Sequence, residues 1–162
     1  MPIISITEGQ TNTVNPADTL LYPGINSCLA LTAVLSDATR RGGHAVLFPQ
    51  APQQDLQQIC NFLNVQPKGD MLYILGDITT WNTNWDGLPQ CQNLVINGQQ
   101  VDSVEAIADA LGYGDNRIVF DIYTWETATY NIYFGFEEEQ RKLWAIRTSD
   151  GSRHTIPQHE YW

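Results

Sequence analysis

A chain of 162 residues with 18 acidic and 8 basic side chains has a formal charge of −10, which leaves no basic field for phosphate contacts and argues against nucleic acid and anionic membrane as partners. Apolar residues make up 43% and charged ones only 16%, which excludes a disordered chain and suffices for one core, so residues 1–162 are read as a single domain. Three cysteines without CxxC spacing signal neither a disulfide framework nor a zinc site, and point to reduced thiols in a cytosol.

In chain order, PIISI (2–6) is a short strand candidate, and the Thr, Asn and Gly-rich stretch to about residue 18 reads as loop. Residues 1–21 lack the basic start and apolar run of a signal peptide, and no run of about 18 apolar residues follows. CLALTAVL (28–35) and HAVLFP (44–49) read as adjacent strands joined by the reversal SDATRRGG. From Gln53 to Leu63 the apolar positions Leu56, Ile59, Cys60 and Leu63 follow helical spacing, which gives Cys60 a place in the core.

MLYILGDI (71–78) is a strand candidate, and TTWNTNWDGLPQ after it is turn-rich, with Trp81 and Trp85 either forming a recognition lip or folding back on the core. Asn97-Gly98 marks a hairpin. Residues 102–112 form a helix with Asp102 and Glu105 at capping-box spacing and a stop at Gly112. From Arg117 the chain is strand-like: Tyr130, Ile132 and Phe134 alternate, EEEQRK (137–142) is a solvated turn, and Asp150-Gly151 marks another hairpin. His154 and His159 belong to a surface tail, and Cys91 is a structural thiol.

The chemistry centres on GINSCLALTAVLSDATRRGGHAVLFP (24–49). A thiol of pKa near 8.5 is only slightly ionised at neutral pH, and an imidazole beside it can raise the thiolate fraction and return the proton to a leaving amine. Cys28 and His44 lie on neighbouring strands and meet if both face the same way, while Gly24, Asn26 and Ser27 suit a bend that aims backbone N–H groups at an oxyanion.

This stretch resembles the active-site hairpin of the CheD-like glutamine deamidases and their relatives the cytotoxic necrotizing factors, which carry Gly-Ser-Cys, an apolar strand, an Asp, a glycine reversal and His-x-x-Leu-Pro. The likeness implies Cys28 as nucleophile, His44 as base, and Ser27, Asn26 and Tyr22 lining the substrate and oxyanion side. Here Phe48 separates Leu47 from Pro49, and the family's threonine six residues before the cysteine is replaced by Tyr22. Thr19, or a main-chain oxygen near Tyr22, is then the expected third element orienting the histidine.

The resemblance implies an α+β fold of two packed mixed β-sheets flanked by helices near 53–63 and 103–111. It also implies a monomeric, cofactor-free enzyme acting on a protein that presents a glutamine side chain, in the cytoplasm or delivered by a specialised system into a target cell's cytosol. The alternatives are a non-catalytic acidic binding or immunity protein that masks a basic partner, and another Cys-His amidase or transglutaminase-like enzyme.

Overall fold

β4 (Leu29–Val34) has the sequence LALTAV, and all six of its residues are buried, so it is covered on both faces. The computed structural model, which describes residues 2–162, shows how. β4 is the centre of a mixed five-stranded sheet ordered β2 (Thr11–Val14), β5 (Arg40–Ala45), β4, β6 (Met71–Gly76) and β9 (Arg117–Asp121). Only the β6–β9 pair is parallel.

Alternation along β4 divides the molecule into layers. Leu29, Leu31 and Ala33 join Leu56, Ile59 and Leu63 of α1 (Leu56–Leu63) and Val104 and Ile107 of α3 (Val104–Ala110) in one apolar core. Ala30 and Val34 point the other way and meet Leu20, Tyr22, Tyr130 and Phe134 from a second sheet. That sheet, also mixed, is ordered β1 (Ile3–Ser5), β3 (Thr19–Ile25), β10 (Tyr130–Glu137), β11 (Gln140–Arg147) and β12 (Arg153–His154), with β1 and β3 parallel. The fold is the expected α+β pair of packed mixed sheets, with α1 and α3 on the outer face of the central one.

Several local expectations are corrected. The stretch read as loop before residue 18 contains β2, which pairs along β5 from Thr11–Gly43 to Val14–Arg40. The reversal after β4 is shorter than SDATRRGG: Leu35 N–H donates to Thr39 O, Ala38 takes φ 71°, and Arg40 to Gly43 are already strand. The glycines serve packing from both sides. A Cβ on Gly42 would collide with the Tyr22 hydroxyl, and one on Gly43 with the Ile59 methyl.

The Trp-bearing stretch forms α2 (Ile78–Thr83) and two 3-10 turns, and both Trp81 and Trp85 fold into the helix-side core. α1 carries a capping box in which Asp55 accepts from Gln58 N–H at 2.9 Å and Gln58 accepts from Asp55 N–H at 2.9 Å. α3 is capped by Ser103, not Asp102, and Glu105 accepts instead from Asn82 at 2.7 Å. Asn97 and Gly98, with φ 52° and 76°, turn the small hairpin β7 (Val95–Ile96) and β8 (Gln99–Gln100).

Candidate active site

Cys28 immediately precedes β4 and His44 lies in β5, where the ladder sets Ala30 opposite His44 and Leu29 opposite Ala45. Cys28 and His44 are therefore diagonal neighbours on the face toward the second sheet, within side-chain reach. Cys28 Sγ, a ring nitrogen of His44 and a carboxylate oxygen of Glu8 all lie within 4.8 Å of one another. His44 is wholly buried, Cys28 is 3% exposed, and Glu8 reaches the pair from the surface.

His44 is held from one side only. Its Nδ1 is 2.9 Å from the main-chain oxygen of Ile6; a carbonyl can only accept, so Nδ1 carries the hydrogen and the lone pair is on Nε2. Nε2 is buried and, among the described residues, has no hydrogen-bond partner. The segment that supplies the carbonyl is fixed along β5 by Gly9 N–H to His44 O at 2.8 Å and His44 N–H to Gln10 O at 3.0 Å.

The turn before the cysteine is held from the helix side. Trp81 Nε1 donates to Ser27 O at 2.8 Å, Asp77 N–H donates to Cys28 O at 3.3 Å, and the Asn26 side chain accepts from Ser27 N–H at 2.5 Å. A Cβ on Gly76 would overlap the Cys28 carbonyl oxygen, so the close approach of β6 here requires glycine. Asp77 also lines, with Thr79, Thr80, Asp121, Tyr123 and Thr124, a cleft of about 420 Å³ beside this turn.

Burial governs the protonation of the pair. It pushes the Cys28 thiol up to about 11, helped by the negative charge of Glu8 and opposed by the Asn26 N–H facing the sulfur. Burial pushes His44 down, against the opposing pull of the Ile6 carbonyl and Glu8. At neutral pH the pair is thus a thiol beside a neutral imidazole, rather than the thiolate–imidazolium pair that adjacency alone suggests.

The remaining residues named from sequence fall as follows. Asn26 and Ser27 flank the sulfur in the turn. Tyr22 packs edge-on to His44 with ring centroids 6.2 Å apart, but its hydroxyl is engaged by Leu31 O at 2.9 Å and Thr32 Oγ1 at 2.6 Å. Thr19 is not brought to the pair: it starts β3 opposite Ile3 and lies against Gly135, and the acceptor on Nδ1 is Ile6 O. Sequence reasoning missed Ile6, Glu8 and Trp81 as parts of this neighbourhood. A backbone oxygen has no side-chain signature, and the only available hint of Glu8 is that it is the sole charged side chain among residues 1–17.

No protein-family model matches the chain, and no curated protein sequence matches it either. Among solved structures it is similar to the C-terminal domain of CNFy from Yersinia pseudotuberculosis, with 9% identity and a TM-score of 0.41. The match covers 98% of this chain and 59% of that one, so the chain spans less than two thirds of the structure it resembles. Among the described residues, no helix is long and apolar enough to cross a membrane.

Proposed function

We propose that the chain is a cysteine-dependent amidohydrolase that converts a glutamine side chain of a target protein to glutamate, with Cys28 as nucleophile and His44 as the group that moves the proton. The observation that carries this reading is the one-sided imidazole: Nδ1 anchored on Ile6 O, Nε2 free, and the Cys28 sulfur in the same cluster. The resemblance of residues 24–49 to the deamidase hairpin supports the choice of substrate.

The thiol proton passes to Nε2 as the sulfur bonds the carboxamide carbon, and the Asn26 N–H, which faces the sulfur, is a backbone donor available to the oxyanion that forms. The imidazolium returns the proton to the amide nitrogen, the C–N bond breaks, and ammonia leaves behind a thioester. Water then gives a proton to Nε2 and its oxygen to the thioester carbon; the C–S bond breaks, glutamate departs, and the thiol is restored. A nucleophile at 3% exposure is met by a slender, extended side chain such as glutamine, borne on a protein.

The test is expression of the chain in a host cell beside its Cys28→Ala variant, with mass spectrometry of the host proteome for glutamines converted to glutamate. Conversion that falls roughly a thousandfold or more in the variant is expected; equal conversion by both removes the proposal, and amine crosslinks in place of glutamate would assign transglutamination.

A second reading, an acidic protein that masks a basic partner, draws on the −10 charge and on the depth of the pair. It predicts a stable complex with that partner that is unchanged by Cys28→Ala and accompanied by no glutamate.

A further inference from the structure

We propose that Cys28, His44 and Glu8 form a site for a soft divalent cation, zinc in the first instance, whose binding reversibly masks the nucleophile. The inference rests on the same pair as the proposed activity but does not need that activity to be correct. Three donors of the types zinc prefers, a thiol sulfur, an imidazole nitrogen and a carboxylate oxygen, lie within 4.8 Å of one another. They come from three separate places in the chain: the segment before β2, the turn before β4, and β5.

The imidazole supplies an independent observation. A metal-bound histidine nearly always donates its other ring N–H to a carbonyl or carboxylate, which fixes the tautomer and directs the lone pair at the metal. His44 already has this arrangement, with Nδ1 on Ile6 O at 2.9 Å and a buried Nε2 without a partner among the described residues. A partnerless buried nitrogen is costly, and a cation bound through it would relieve that cost.

Around a tetrahedral zinc, with ligand bonds of about 2.0–2.3 Å, donor atoms stand about 3.5 Å apart. From separations of at most 4.8 Å the three groups close by no more than about an ångström, and the surface position of Glu8 leaves its carboxylate free to move. Three protein ligands leave a fourth position for water. Binding replaces the S–H bond of Cys28 by a sulfur–metal bond and releases that proton to solvent, while the imidazole offers the lone pair on Nε2, its hydrogen being on Nδ1 toward Ile6 O.

The experiment is titration of the full chain with Co²⁺, whose thiolate charge-transfer absorption reports sulfur ligation directly, followed by displacement of the Co²⁺ with Zn²⁺. The expected result is one equivalent bound, protection of Cys28 from iodoacetamide, loss of the charge-transfer band in Cys28→Ser, and affinity at least about tenfold weaker in Glu8→Gln. Glu8 is exposed, so its variant tests the site without opening the core.

No band, a band that survives Cys28→Ser and so belongs to Cys60 or Cys91, or unchanged affinity in Glu8→Gln would each overturn the inference. Glutamate formation on a target protein is read separately. A chain that deamidates but binds no metal refutes this site alone, and one that binds metal but never deamidates refutes the enzyme alone.

Discussion

Cys28, Cys91 and Cys60 are all buried, yet burial does not treat them alike. The thiol of Cys28 is pushed up to about 11, that of Cys91 to about 12 and that of Cys60 higher still, in each case chiefly by desolvation. Alkylation is carried by the thiolate, so limited iodoacetamide followed by peptide mapping is expected to label Cys28 first, Cys91 next and Cys60 last. The rate at Cys28 should keep rising with pH well past neutrality, and early labelling of Cys60 or Cys91 would remove Cys28 from its assigned place. That Cys28 and His44 sit on adjoining strands was readable from the hairpin; that they share a face was not, because it depends on the register, which the ladder sets with Ala30 opposite His44. The third element was legible only in kind: a main-chain oxygen was one of the two expectations, but it was sought near Tyr22, with Thr19 as the other, whereas the acceptor is the peptide oxygen of Ile6 in a more distant segment.

At the scale of elements, the two strands around the site are set by close approach more than by propensity. β6 ends on Gly76 beside the Cys28 carbonyl, with no room for a methyl group between them. Gly76→Ala is expected to cost about 1–3 kcal/mol of stability, as overpacking does, and to slow Cys28 alkylation or catalysis more than the small fall in folded fraction explains. Denaturant melts read beside labelling rates decide this, and a variant that retains both rates and midpoint would show that the strands have slack.

The same crowding explains why Arg40 to Gly43 were misread as a turn. Paired glycines usually signal a reversal, but here each faces a large side chain from a different layer, Tyr22 on one side and Ile59 on the other. That information lies in the tertiary arrangement. β2 was missed for a related reason: TNTV has a single buried residue, Val14, and so leaves no apolar alternation to read. The helices were legible because their signals are local, although Ser103 displaced Asp102 as the cap.

For the molecule as a whole, the placement of its titratable groups between packed layers predicts a bounded pH range of stability. In the unfolded chain a histidine takes up a proton below about 6.5, whereas His44 in the fold resists it. The unfolded state then binds more protons, and stability falls as pH drops from that point toward the lowered folded value. The thiols act with opposite sign. Unfolded cysteines ionise above about 8.5, while the folded ones hold their protons to about 11 at Cys28 and about 12 at Cys91; stability is fully present below the unfolded value and is lost as pH rises through the folded ones. Burial of Tyr22 pushes its phenol up as well and adds to the alkaline loss.

Thermal melts across pH should therefore show a plateau between about 6.5 and 8.5, with the alkaline limb softened in Cys28→Ala. A melting temperature that climbs steadily past the thiol range would contradict the burial of these groups. The two-sheet architecture was anticipated from the strand-rich sequence and the hairpin resemblance together. The division of apolar residues between an inter-sheet core and a helix-side core was not, because alternation shows that a strand has two faces without saying what covers each.

The oxygen that orients the imidazole belongs to the main chain, and every amino acid carries one. Ile6 itself is 1% exposed between the sheets, so a saturation library at this codon would rank variants by shape and greasiness, keeping valine and leucine and discarding aspartate and lysine. The profile would be indistinguishable from that of ordinary scaffold. A genetic screen would thus overlook this contributor to the proposed chemistry, and only a backbone edit, such as an amide-to-ester replacement that weakens the oxygen as an acceptor, would expose it.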